Sequence, residues 1–164
     1  MYKLNTNIKN ASIIMILIGV VSCILSFWTD RHGEHPFDNA WTNLLFNNYF
    51  FLGISLFAVF FVALQYVAEA GWSIVLKRVP EAIMTFLPYT SGIMLFIVVT
   101  AVLHFGGNHI YHWLEPGIMT EGTSNYDEII AGKEPYLNAT FFLIRSFVYV
   151  IIWVYCAIRL RQIS

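Results

Sequence analysis

The stretch GWSIVLKRVPEAIMTFLP, residues 71 to 88, decides how the rest of the chain is read. It joins two long apolar runs and gathers opposite charges: Glu69 just upstream, then Lys77, Arg78 and Glu81, with Trp72 and Pro80 among them. Gly71-Trp72 reads as a helix end at a membrane interface, where an indole sets its ring at headgroup level. Pro80 suits the first position of the next helix, where its missing N–H costs nothing, and Glu81 complements the positive end of the helix dipole. Two cations beside a short connection mark a cytoplasmic loop. This stretch therefore predicts which way up the chain lies.

Composition points the same way. Of 164 residues, 58% are hydrophobic and 12% are charged, against about 25% charged in a soluble domain. The net charge of -1 provides no basic stripe to displace counterions, which argues against a nucleic-acid partner. Cys23 and Cys156 stand alone in apolar runs, so disulfide, iron–sulfur and covalent haem readings lack support. There is no glycine-rich phosphate loop and no serine-nucleophile motif. The bilayer is the solvent this chain is written for.

Working outward, the apolar runs predict an all-α membrane protein with four transmembrane helices, at about residues 8–28, 44–70, 81–105 and 138–161. Lys3 and Lys9 precede the first run, so a signal peptide is a rival reading, and Val20-Val21-Ser22-Cys23 resembles a lipoprotein cleavage box. The run continues past Cys23 to Trp28, which favours an uncleaved helix. The polar link from Asp30 to Asn43 holds His32, Glu34, His35 and Asp38; H-x-x-H there is a weak metal signal, and a solvated loop is the plainer reading. The link from His104 to Asn138 is acidic, with Glu115, Glu121, Asp127, Glu128 and Glu134 against Lys133, and Tyr111, Trp113 and Tyr136 read as interfacial anchors. Lys3, Lys9, Lys77, Arg78, Arg159 and Arg161 fall on one side of the spans, Arg31 and Lys133 on the other. Both termini are therefore expected in the cytoplasm.

Helical steps of three and four put Asn48, Ser55, Tyr66 and Glu69 on one face of the second span. They put Thr85, Tyr89, Gly92, Phe96, Thr100 and His104 on one face of the third, which Pro88 breaks near its start. In the fourth, Asn138, Phe142, Tyr149, Trp153 and Cys156 share a face. Arg145 should lie roughly 10 Å below the outer surface, where a cation needs a partner or a wet cavity. Two patches are expected: an inner one of Glu69, Lys77, Arg78, Glu81, Thr85 and Tyr89, and an outer one of Thr100, His104, Arg145 and Tyr149. They read either as two half-paths for protons or as ties between helices and groups snorkelling to the interface. His104 is the single histidine near a span, so one chain cannot supply a bis-histidine haem site.

Residues 71–88 together with KEPYLNATFFLIRSFVYVIIW at 133–153 resemble the ActF-type membrane subunit of bacterial alternative complex III, related to the NrfD-like quinol-site subunits. The likeness runs over about residues 41–160. It implies a multi-pass subunit of the bacterial inner membrane within a respiratory quinol oxidoreductase. Members are larger, with about ten spans in two four-helix bundles, so residues 1–164 would form a single segment from the N-terminal part of such a subunit. The complex oxidises menaquinol or ubiquinol; iron–sulfur clusters and haem c in partner subunits pass electrons on, with a terminal oxidase among the partners. The subunit itself is expected to hold no cofactor or metal, not to be catalytic alone, and to serve in scaffolding and proton conduction. Lys77, Arg78, Glu81, Lys133, Asn138 and Arg145 fall in the matching motifs.

Two other functions compete. In the first, a quinol-binding subunit uses an outer pocket near His104 and Arg145, with His104 as proton acceptor and Tyr149 or Trp153 in the wall. The second, a small multi-pass transporter, would need inverted repeats or breaks in corresponding halves, and Pro88 supplies a single break.

Overall fold

The computed structural model describes residues 6–32 and 37–163, and its regular elements are helical throughout, with no strand among the described residues. Lys3, Glu34, His35 and the side chain of His32 lie outside that description, and with them the metal reading of the first link. Four helical stretches are long and apolar enough to cross a membrane. They are α1 (Thr6–Thr29), α2 (Asp38–Val67), the kinked pair α3 (Arg78–Met84) and α4 (Leu87–Val102), and, after the short α5 (Glu128–Ala131), α6 (Ala139–Ile163). With about 1.5 Å of rise per residue, each exceeds the ~30 Å of a hydrocarbon core.

The second helix is the central element, packed against α3, α4 and α6. Leu52, Leu87 and Ala157 form one buried cluster, flanked by Leu56, Val59, Met94 and Trp153; Ala58, Val62 and Met84 form another. Along α2 the buried positions Trp41, Asn48, Ser55 and Val62 recur every seven residues. A seven-residue stripe drifts about 20° per heptad on an ideal helix. That drift turns the stripe toward the positions three residues on, Ala58 and Gln65, which are buried while Tyr66 is exposed. On α4 the inward positions are Leu87, Thr90, Ser91, Ile97, Val98, Thr100 and Ala101. Tyr89 and Phe96 point outward, so the predicted polar face of the third span is not the buried one.

By contrast, α1 stands apart from this core: none of its residues is buried. Its aromatic contacts gather near its C-terminus, where Phe27 meets the edge of Trp41 at 5.1 Å and Phe37 at 6.4 Å. Just beyond, Asp30 caps α2 across the link. One carboxylate oxygen accepts from the Ala40 N–H at 3.0 Å and the other from Asn39 Nδ2 at 3.0 Å. A carboxylate at a helix N-terminus is favoured by the orphan N–H groups and the dipole. These bonds hold the Asp30 carboxyl below the usual carboxylate range, and they let α2 begin at Asp38, earlier than residue 44.

The other boundaries also have local causes. The second helix ends at Val67 because Glu69 takes a left-handed conformation (φ 46). The Ala70 N–H then reaches the Gln65 carbonyl at 3.2 Å and the Glu69 N–H the Tyr66 carbonyl at 3.3 Å. This is the Schellman closure, with glutamate where glycine is usual. Glu69 therefore lies outside the helix face assigned to it. Pro80 occupies the third helical position of α3, not the first, still within the turn whose N–H groups lack partners. Pro88 stands in the first turn of α4, and the span breaks at Thr85-Phe86 just before it. His104, with φ 49, stops the span short of residue 105.

Candidate functional site

At the end of the bundle that carries Lys77, the ammonium donates to the Tyr66 hydroxyl, lies 4.6 Å from that ring's centre, and stands 4.0 Å from Glu81 Oε1. Lys77 thus ties the end of α2 to the start of α3. Beside it, Gln65, Tyr66, Glu69, Ser73 and Lys77 line a cavity of about 310 Å³. Of the predicted inner patch, the fold brings Glu69, Lys77 and Glu81 into one neighbourhood. Arg78 is exposed, Tyr89 faces outward, and the Thr85 hydroxyl donates to the Glu81 and Ala82 carbonyls of its own helix.

Gln65 is the residue that periodicity missed. It is 7% exposed, and neither its amide nitrogen nor its amide oxygen has a hydrogen-bond partner. Buried polar groups are nearly always paired. The signal in the sequence is the companion set three residues after Ser55 and Val62, at Ala58 and Gln65, seven apart like the set at 41, 48, 55 and 62.

At the opposite end the predicted outer patch separates. Arg145 reaches back along α6 and lays its guanidinium over Tyr136 at 4.0 Å, with Phe141 and Phe142 within 6 Å. Among the described residues no hydrogen bond or ion pair joins Arg145 to Thr100, His104 or Tyr149, and its Nη1 is buried without a partner. The aromatic cage takes the place of the expected pairing with His104, because a helical side chain leans toward its helix N-terminus and the cation snorkels to the interface. His104 is exposed, its ring 5.4 Å from that of His109. Thr100 is buried, donating to the Phe96 and Ile97 carbonyls at 2.9 Å.

Asn108, also missed, is completely buried and organises this end. Its Nδ2 donates to the Ile97 carbonyl at 3.2 Å and to Thr100 Oγ1 at 3.0 Å, and its Oδ1 accepts from the Ile110 N–H at 3.4 Å. Trp41 Nε1 donates to the Gly106 carbonyl at 2.9 Å. Asn138 is the N-cap of α6, accepting from the Phe141 N–H at 2.7 Å, and Lys133 is exposed on the surface.

A second cavity, of about 320 Å³, lies between α2, α4 and α6. Its walls are mainly apolar, with Tyr49, Tyr111, Ser146 and Tyr149 as polar groups and Trp153 alongside; His104 and Arg145 do not line it. Burial raises the Tyr111 phenol above its ordinary value, keeping it a neutral donor. Among the described residues the buried polar groups between the two ends are uncharged: Ser55 and Thr90 donate to carbonyls of their own helices, Asn48 Nδ2 donates to the Thr90 carbonyl at 3.1 Å, and the Ser91 hydroxyl is buried without a partner. Among the described residues no three His, Cys, Asp or Glu side chains converge on a metal position.

Fold and composition define a helical membrane protein with four candidate spans. Compared with models of known protein families and with curated proteins, the sequence has no match.

Proposed function

We propose that the chain is a cofactor-free subunit of a respiratory quinol:acceptor oxidoreductase in the bacterial inner membrane, with both termini cytoplasmic and a mainly scaffolding role. The observation that carries this reading is the pair of stretches 71–88 and 133–153, which resemble the ActF-type subunit of alternative complex III. Two structural features support the scaffolding role. The unburied α1 offers a whole apolar helix to neighbours, and the exposed face of α6 adds a second such surface. A proton role belongs to the Lys77 end, where Glu69, Lys77 and Glu81 stand together, because the buried polar groups described beyond it are uncharged and, Ser91 apart, their hydroxyls donate to carbonyls. Membranes from cells lacking the chain should lose the assembled complex and its menaquinol- or ubiquinol-dependent reduction of the electron acceptor. Retention of both would overturn the proposal.

A second reading, a quinol-binding subunit, is favoured by one observation. Tyr149 and Trp153 line the 320 Å³ apolar cavity, with the Tyr111 phenol as a polar group in its wall. In that reading Tyr111, not His104, meets the ring hydroxyl. A photoactivatable quinone analogue should then crosslink to Tyr149 or Trp153; labelling confined to other subunits removes this reading.

A further inference from the structure

We propose that the Lys77 end carries a binding site for the headgroup of a zwitterionic phospholipid with a primary ammonium, of the phosphatidylethanolamine type. The site is the 310 Å³ cavity between the end of α2 and the turn at Gly71–Val75. Gln65 lines it, more than nine-tenths buried, with both ends of its amide unpaired. Such a group calls for a ligand that accepts and donates at once. A phosphate oxygen accepts from Nε2, and an ammonium N–H donates to Oε1. The lining supplies matching charges, Lys77 for the phosphate and Glu69 for the ammonium, and Ser73 lines the same cavity. Lys77 is already held by Tyr66 and Glu81, so little freedom is lost when it meets the phosphate.

The surroundings select a lipid over a soluble ion. Ile74 lines the cavity and is exposed, and its sequence neighbours Trp72 and Val75 in the same short turn are exposed too, an apolar surface with an indole suited to the headgroup level of a bilayer. Headgroup chemistry then discriminates among lipids. A trimethylated ammonium has no N–H for Gln65 or Glu69, and a net-anionic headgroup leaves the Glu69 carboxylate unmatched. The site needs a bilayer around the helices and does not depend on the respiratory reading.

The test uses the chain purified in mild detergent with any subunits that accompany it, titrated with phosphatidylethanolamine, phosphatidylcholine and phosphatidylglycerol and read by native mass spectrometry. Phosphatidylethanolamine should bind about tenfold more tightly than either other lipid. Gln65→Leu and Glu69→Gln should each erase that preference without lowering the melting temperature in lipid-free detergent. Gln65→Leu keeps the volume and removes the amide, while Glu69→Gln alters an exposed group. Soluble phosphoethanolamine should compete, and inorganic phosphate should not. Equal binding of the three lipids, selectivity unchanged in both variants, or equal competition by phosphate would each overturn the assignment.

Discussion

Asn108→Ala tests the account at the end of the bundle remote from Lys77. The side chain makes three hydrogen bonds at a fully buried position: two from Nδ2, to the Ile97 carbonyl and Thr100 Oγ1, and one accepted by Oδ1 from the Ile110 N–H. The Ile97 carbonyl keeps a partner after truncation, because the Thr100 hydroxyl also donates to it at 2.9 Å. The Ile110 bond is long at 3.4 Å and counts for little. That leaves about one to two effective bonds at ~1 kcal/mol each, plus a small cavity term. The expected loss is about 2–3 kcal/mol. It should appear as a lower melting temperature in detergent and as faster amide exchange at Ile110 and at the end of α4, with the Lys77 end unaffected. A loss below about 0.5 kcal/mol, or exchange spread evenly over the spans, would refute the view that Asn108 locks this end of the fold.

Three further outcomes follow from the same geometry. Asn138→Ala removes the N-cap of α6 and should cost about 1 kcal/mol in thermal unfolding, while Asn138→Asp, which keeps the acceptor, should cost little. Glu69→Gly relieves a left-handed glutamate (φ 46) and should stabilise the chain by about 0.5–1 kcal/mol in lipid-free detergent, since an L-residue there costs about 1–2 kcal/mol and glycine returns part of that as unfolded-state entropy. The lowered pKa of Asp30 means that the folded state holds its proton less tightly than the unfolded state. Its contribution is therefore present above the ordinary carboxylate value of about 3.9 and lost as pH falls through the lower folded value. Exchange protection of the Ala40 amide should persist at neutral pH, decline below about pH 4, and become insensitive to pH in Asp30→Asn.

The existence and number of the spans could be read from the sequence because each run satisfies the bilayer's demand on its own. Thr6–Thr29 and Ala139–Ile163 differ from the predicted limits by a few residues. Faces were harder. A period of 3.6 applied from Asn48 lands on Tyr66, whereas the buried set lies three residues beyond Ser55 and Val62, at Ala58 and Gln65. Helical steps put Tyr89 on one face with Thr100, yet the buried face of α4 is set by what α2 and α6 can pack, and that selects Leu87, Ser91 and Val98. Helix ends were legible where proline marked them, as at Pro88, and not where a left-handed residue stopped the helix: no propensity singles out Glu69, and the enrichment of histidine at positive φ is too weak to pick out His104 among the five histidines. Arg145 was expected among polar partners. Its aromatic cage depends on Tyr136 folding back over α6, a tertiary event that spacing within one helix does not encode. Asn108 sits in a link held by a bond from the distant Trp41 to Gly106, two residues before it.

The central claim is that this chain is a membrane subunit of a respiratory quinol oxidoreductase. The most direct measurement is to isolate the chain from its native membrane in mild detergent and identify its companions by mass spectrometry and visible and electron-paramagnetic spectra. The account predicts stoichiometric companions bearing haem c and iron–sulfur clusters, and quinol-dependent reduction of the haem in the isolated assembly. Isolation of the chain alone, or with companions that hold no redox centre, would contradict it.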